Sequence, residues 1–113
     1  METMTVGTKN ILGITRDLTS LSSEVREEAS NRIRDWVHSF DRREVRVVAA
    51  LLSSAVAVEP ERDCRESELN ALSELTASGL VEAEDLAPLR ELRRDLLTEP
   101  DAEHYDYLVG EYF

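Results

Sequence analysis

The chain has 113 residues, enough to bury one continuous hydrophobic core and not two, so a single domain spanning 1–113 is expected. Hydrophobic residues make up 42% and charged residues 33%, with 4 Gly and 3 Pro, a balance that excludes a disordered or low-complexity chain. The net charge of -11 repels phosphate backbones and anionic lipid, which argues against nucleic acid and membrane surfaces as partners.

Leu, Ala, Glu and Arg dominate while aromatic residues amount to 5%, and these long unbranched side chains lose little freedom in a helix, so an all-α fold of about six helices is expected. Residues 1–7 are expected to be a flexible N-terminal segment. They lack the basic start and apolar run of a secretory signal, and the expected location is the cytoplasm. The first helix is expected over Thr8–Ser20, with Ile11, Ile14, Leu18 and Leu21 on one face. A second begins at Ser22 or Ser23, both good N-caps, and carries the stripe Val25, Ala29, Ile33, Trp36, Val37 and Phe40.

Asp41 and Glu44 have the spacing of a capping box and restart a helix that runs to Val58, ahead of Pro60. Its residues are apolar nearly all round, which predicts a central position with neighbours on several sides. The longest nearly apolar run, Val47 to Val58, falls well short of the roughly 20 residues that cross a bilayer. A fourth helix over Asp63–Ser78 turns Leu69, Leu72 and Leu75 inward and stops at Gly79. A fifth is expected from Asp85, with Pro88 in its first turn and Leu89, Leu92, Leu96 and Leu97 in line. The acidic, Tyr-rich segment 99–113 is expected to hold a terminal helix over Asp101–Tyr112.

The second and fourth helices repeat. At an offset of 39 positions, Val25, Arg26, Glu27, Asn31, Ile33, Asp35 and Trp36 map onto Cys64, Arg65, Glu66, Asn70, Leu72, Glu74 and Leu75. Helix pairs recurring at roughly 40 residues mark helical solenoids, in which each unit buries its apolar face against the next. The segment Leu21-Ser22-Ser23-Glu24-Val25-Arg26-Glu27-Glu28-Ala29 resembles the turn into the second helix of a HEAT repeat, and Cys64-Arg65-Glu66 followed by Asn70-Ala71-Leu72 resembles a second copy. The likeness covers roughly residues 10–98. It departs from the family where the usual proline of the first helix is missing, and where Glu68 stands at the position of the small Ala29. The resemblance implies a short right-handed α-solenoid of HEAT-like hairpins. Small acidic bacterial proteins of this type also look similar to immunity proteins, which bind and block a toxin made by the same cell.

The repeat yields the main candidate surface. Glu27, Asn31 and Asp35 recur every four residues on one helical face, and Glu66, Asn70 and Glu74 occupy the equivalent face of the fourth helix. If both helices are the inner members of their pairs, two acidic stripes lie side by side on a concave surface. Otherwise they are the solvated sides of amphipathic helices. In the terminal segment, Tyr105, Leu108, Val109 and Tyr112 have the spacing of a face docked on the core. Asp106 and Tyr107 are the contact candidates there.

Residues that carry chemistry are scarce. Cys64 takes the repeat position of Val25, so a small buried role is expected for it in preference to a nucleophile. His38 and His104 belong to no His-x-x-x-His pair, and Asp101, His104 and Asp106 make no convincing metal set. Phosphate loops, nucleophile elbows and Cys-x-x-Cys pairs are absent. The expectation is a non-enzyme with no cofactor and no metal. Its half after Val58 holds 16 acidic against 5 basic residues and suits a protein partner with a basic surface, such as a cognate toxin, with a general adaptor or scaffold role as the alternative.

Overall fold

The computed structural model describes residues 5–113, which form five α-helices and two 3-10 segments and contain no strand. Helix α1 spans Thr8–Leu18, α2 Ser23–Asp35, α3 Arg42–Val58, α4 Arg62–Thr76 and α5 Glu99–Tyr112. The 3-10 segments, Ala83–Glu91 and Arg94–Leu96, lie between α4 and α5. None of these helices is long and apolar enough to cross a membrane.

Helix α1 opens at Gly7, whose φ of 93° lies in the left-handed region that favours glycine. No side chain caps it, but Glu44 accepts hydrogen bonds from the Val6 and Gly7 N–H groups at 2.9 and 2.7 Å. The same carboxylate completes the expected capping box with Asp41 at the start of α3, so one side chain organises the N-termini of two helices. Residues 1–4 of the expected flexible segment lie outside the described residues.

Ile14 and Leu18 of α1 are buried, whereas Leu21, expected on the same face, is fully exposed. The helix ends at Leu18, and the chain turns before the next apolar position comes round. Helix α2 is capped by Ser22, as its sequence implies, but ends at Asp35 and not at Phe40. Shorter-range bonds from Trp36 N–H to the Ile33 carbonyl and from Ser39 N–H to the Trp36 carbonyl tighten this end into a turn. The turn drops Phe40 into the core, rests Trp36 and Val37 against it, and frees Asp41 to cap α3.

Helix α3 packs on α1, α4 and the first 3-10 segment, burying Val45, Val48, Ala49, Leu52 and Val56. Its central position agrees with its apolar sequence, yet its outward side is open: Val47 is 41% and Val58 77% exposed. Helix α4 packs on α2, α3 and α5, and Leu69, Leu72 and Leu75 are fully buried. Each contributes about 1.5–3 kcal/mol by leaving water. Gly79 takes a φ of 75° just after the helix.

The fifth element corrects the expectation of an α-helix from Asp85. Pro88 has no N–H to offer the carbonyl four residues back, and the segment winds as a 3-10 helix with Pro88 inside it. That winding has three residues per turn, so Leu86, Leu89 and Leu92 share one face; Leu86 and Leu89 are fully buried. Leu96, assigned to the core face by α-helical spacing, is 63% exposed. Arg46 of α3 secures the segment through Asp85 at 3.0 Å and through Glu84. Helix α5 follows with Thr98 accepting from the Asp101 N–H, and Leu108 docks it into the core with Tyr105 and Tyr112 half-buried beside it.

The 39-residue repeat extends to backbone bonding. Arg26 donates to the Ser20 carbonyl at 2.8 Å, and Arg65 donates to the Glu59 carbonyl at 3.3 Å, in each case six residues back. The described chain measures 47 × 31 × 19 Å, and its short dimension is about two helix layers.

Candidate functional site

Helices α2 and α4 lie against one another, which brings together the residues that the repeat singles out. Asn31, Asp35, Glu66 and Glu74 are exposed, while Glu27 and Asn70 are half-buried. Asn31, Asp35 and Glu74 line one shallow depression with Arg34. Arg34 of α2 reaches Glu74 of α4 at 3.3 Å, and Ser67 donates to Glu27 at 3.3 Å. The surface is therefore acidic but stitched: an arginine and a serine cross between the helices and fix where the carboxylates stand. It offers carboxylates and amides to a cationic group.

The terminal helix places Asp106 and Tyr107 at the surface. Asp106 is held by Arg94 through two bonds, at 2.8 and 2.7 Å, and this guanidinium keeps its carboxyl below the ordinary range. Tyr107 is 56% exposed and free to make contacts. His104 faces α4, with its Nδ1 3.2 Å from the Ser73 hydroxyl. Arg90 lies over the ring of Phe113, 4.4 Å from its centre.

Beneath the N-terminal end of α4 is a second constellation, which sequence reasoning missed. Glu59 caps α3, Cys64 lies in the first turn of α4, and Glu68 follows one turn later, so Cys64 and Glu68 share a helical face. All three are buried, and one oxygen of each glutamate lies with the Cys64 Sγ in a group whose members are within 4.8 Å of one another. Arg26 reaches in from α2 to Glu59, Nε to Oε1 at 2.7 Å and Nη2 to Oε2 at 2.9 Å.

Burial alone would raise the Glu59 carboxyl, but the bonds from Arg26, Cys64 and the Glu61 N–H outweigh it and hold it below the ordinary range. Glu68 has no arginine of its own. Burial, then the negative Glu59 beside it, push it up to about 9, and both its oxygens lack a hydrogen-bond partner. Burial and the hydrogen bond to Glu59 push the Cys64 thiol up to about 12, so it is no activated nucleophile. The expected buried role of Cys64 agrees with its 1% exposure, although its neighbours are charged and not apolar.

The available signal was the departure from the repeat. Where the first unit has Ala29, fully buried, the second has Glu68, also fully buried. A glutamate that inherits a core position cannot be a solvated one.

No family model, no curated protein and no solved structure matches this chain.

Proposed function

We propose that this chain is a non-catalytic protein-binding module that docks the basic surface of a partner on the face formed by α2 and α4. The observation that carries the reading is the exposure of Asn31, Asp35, Glu66 and Glu74 on two helices packed side by side. With a net charge of -11, such a face accelerates the approach of a cationic partner and sets its orientation. Tyr107 adds exposed ring area on α5, which packs against α4. The narrower form of the proposal is inhibition of the immunity-protein kind, in which the acidic face occludes the basic cleft of a toxin.

The scaffold we propose is a HEAT-like right-handed solenoid, and the packing order is compatible with its stacked hairpins. Helix α3 contacts both α1 and the first 3-10 segment, and α4 contacts both α2 and α5, as stacked helical hairpins would. A scaffold role is the second reading, favoured by a different observation. Val47 and Val58 leave an apolar side of α3 open, a second surface that a pure inhibitor does not need.

The test is a pull-down from the native cell, followed by association kinetics of the recovered partner with the wild-type chain and with Glu66→Lys/Glu74→Lys. Slower association and a weaker dependence on salt are expected for the variant. Unchanged kinetics would remove this face as the contact surface. Recovery of a basic toxin and loss of its activity on binding would support inhibition, and recovery of a multi-subunit assembly would support the scaffold role.

A further inference from the structure

We propose that Glu59, Cys64 and Glu68 form a binding site for a divalent cation of the zinc class. Two independent observations converge on it. The first is composition: a thiol and two carboxylates from the α3–α4 junction and one face of α4 bring their donor atoms within 4.8 Å of one another, all buried. The second is Glu68 itself, 0% exposed, with neither oxygen accepting a hydrogen bond from a protein donor and the Glu59 carboxylate as its polar neighbour. A buried carboxylate is paired, protonated or bound to a metal, and this one has no cationic partner of its own.

Charge arithmetic accommodates the metal. Arg26 neutralises one of the three potential anions, Glu59, and leaves the other two needing protons. A divalent cation can take the place of those two protons: thiolate and two carboxylates carry three negative charges, and the ion with Arg26 carries three positive ones, so the buried cluster stays neutral. Binding releases the protons of Cys64 and Glu68, and affinity rises with pH.

The ligand set selects the class of ion. A thiolate beside carboxylates suits zinc and disfavours magnesium and calcium, which take oxygen alone. In tetrahedral coordination the donor atoms stand roughly 3.5 Å apart, so closure from the present spacing asks for movements of about 1 Å, within reach of glutamate side chains. Three protein ligands leave a fourth position for water. Arg26 bonded to Glu59 then serves as the outer partner that fixes a ligating carboxylate. A cleft of about 430 Å³ borders the cluster on its Arg26 and Glu59 side, lined also by Ser20, Val58 and Pro60.

The experiment titrates the full-length, metal-free, reduced chain with Co2+ and follows absorption, with thermal unfolding in Zn2+ in parallel. One equivalent of Co2+ should produce a near-ultraviolet thiolate-to-metal band together with visible tetrahedral bands, and Zn2+ should displace it and raise the melting temperature. Glu68→Gln keeps the shape, removes a ligand charge and should bind at least tenfold more weakly. Cys64→Ser should lose the thiolate band. Absence of the band and of any Zn2+-dependent shift in the wild-type chain overturns the proposal. Equal binding by the wild-type chain and both variants would also overturn it, by placing the ion elsewhere.

Discussion

Arg26 and Glu59, 33 positions apart in the chain, meet through two parallel hydrogen bonds, with the carboxylate side chain 1% exposed and the guanidinium 13% exposed. The pair joins α2 to the end of α3. Arg26 also holds the Ser20 carbonyl, so one side chain ties the exit of α1, the body of α2 and the cap of α3.

Replacing Arg26 by Ala leaves Glu59 buried without its counter-charge. Urea unfolding at pH 7 should show a loss of about 3–5 kcal/mol, and the double variant Arg26→Met/Glu59→Leu should recover much of it. The pair also has a pH signature. Because Glu59 is held below its ordinary value of 4.5, its contribution is present above that pH and is lost as the pH falls through the lower folded value. An acid limb in Arg26→Ala as steep as that of the wild-type chain would contradict this.

Glu68 acts with the opposite sign. Its folded pKa is raised to about 9 from 4.5, so between these values the folded chain holds a proton that the unfolded chain releases. Stability is therefore expected to fall as the pH rises through that window. In the presence of a chelator, Glu68→Gln should lose less melting temperature between pH 5 and pH 8.5 (roughly the ends of that window) and exceed the wild-type chain at the upper end. Parallel curves would show that Glu68 does not carry a buried proton.

Glu44 is expected to control the N-terminal segment. It accepts from the N–H groups of Val6, Gly7 and Asp41, and Glu44→Ala strands these donors at a cost of about 1–3 kcal/mol. Hydrogen exchange at Val6 and Gly7 should accelerate well beyond the change at Leu52. The backbone bonds together outweigh burial and hold the Glu44 carboxyl below its ordinary range, so this tie should persist in mild acid and loosen only as the pH falls further.

Leu108 is the one fully buried hydrophobic side chain of α5 among the described residues. Leu108→Ala should cost about 2–5 kcal/mol and release the terminal helix first. Limited proteolysis after Tyr105 and Tyr112 is the readout. An unchanged digestion pattern would mean that α5 is anchored by other contacts.

Local chemistry decided most of the secondary structure. The caps at Ser22 and Asp41, the stop at Gly79 and the leucine spacing of α4 involve groups within about four residues of one another, and such signals survive without knowledge of the fold. Even the failed fifth helix was written locally. Pro88 and the three-residue spacing of Leu86, Leu89 and Leu92 are the marks of 3-10 winding, and the α-helical spacing of Leu89, Leu92 and Leu96 masks them.

Of the candidate surface, the repeat identified the residues and the fold decided their state. Asn31 and Asp35 meet Glu74 at one depression because α2 and α4 pack together, a consequence of the paired apolar stripes. The pairings of Asp106 with Arg94 and of Glu74 with Arg34 depend on turns and crossings that periodicity does not encode.

The amino-acid order alone determined the helical class, the 39-residue echo and the sides of α2 and α4 that seek the core, because these follow from spacing along one chain. The tertiary structure alone decided that Glu68 is buried beside Cys64 and Glu59, and that Val47 and Val58 face outward. Whether a side chain meets water, a counter-charge or neither depends on segments brought together from distant positions, and the same glutamate is solvated on one face of a helix and protonated or metal-bound on another.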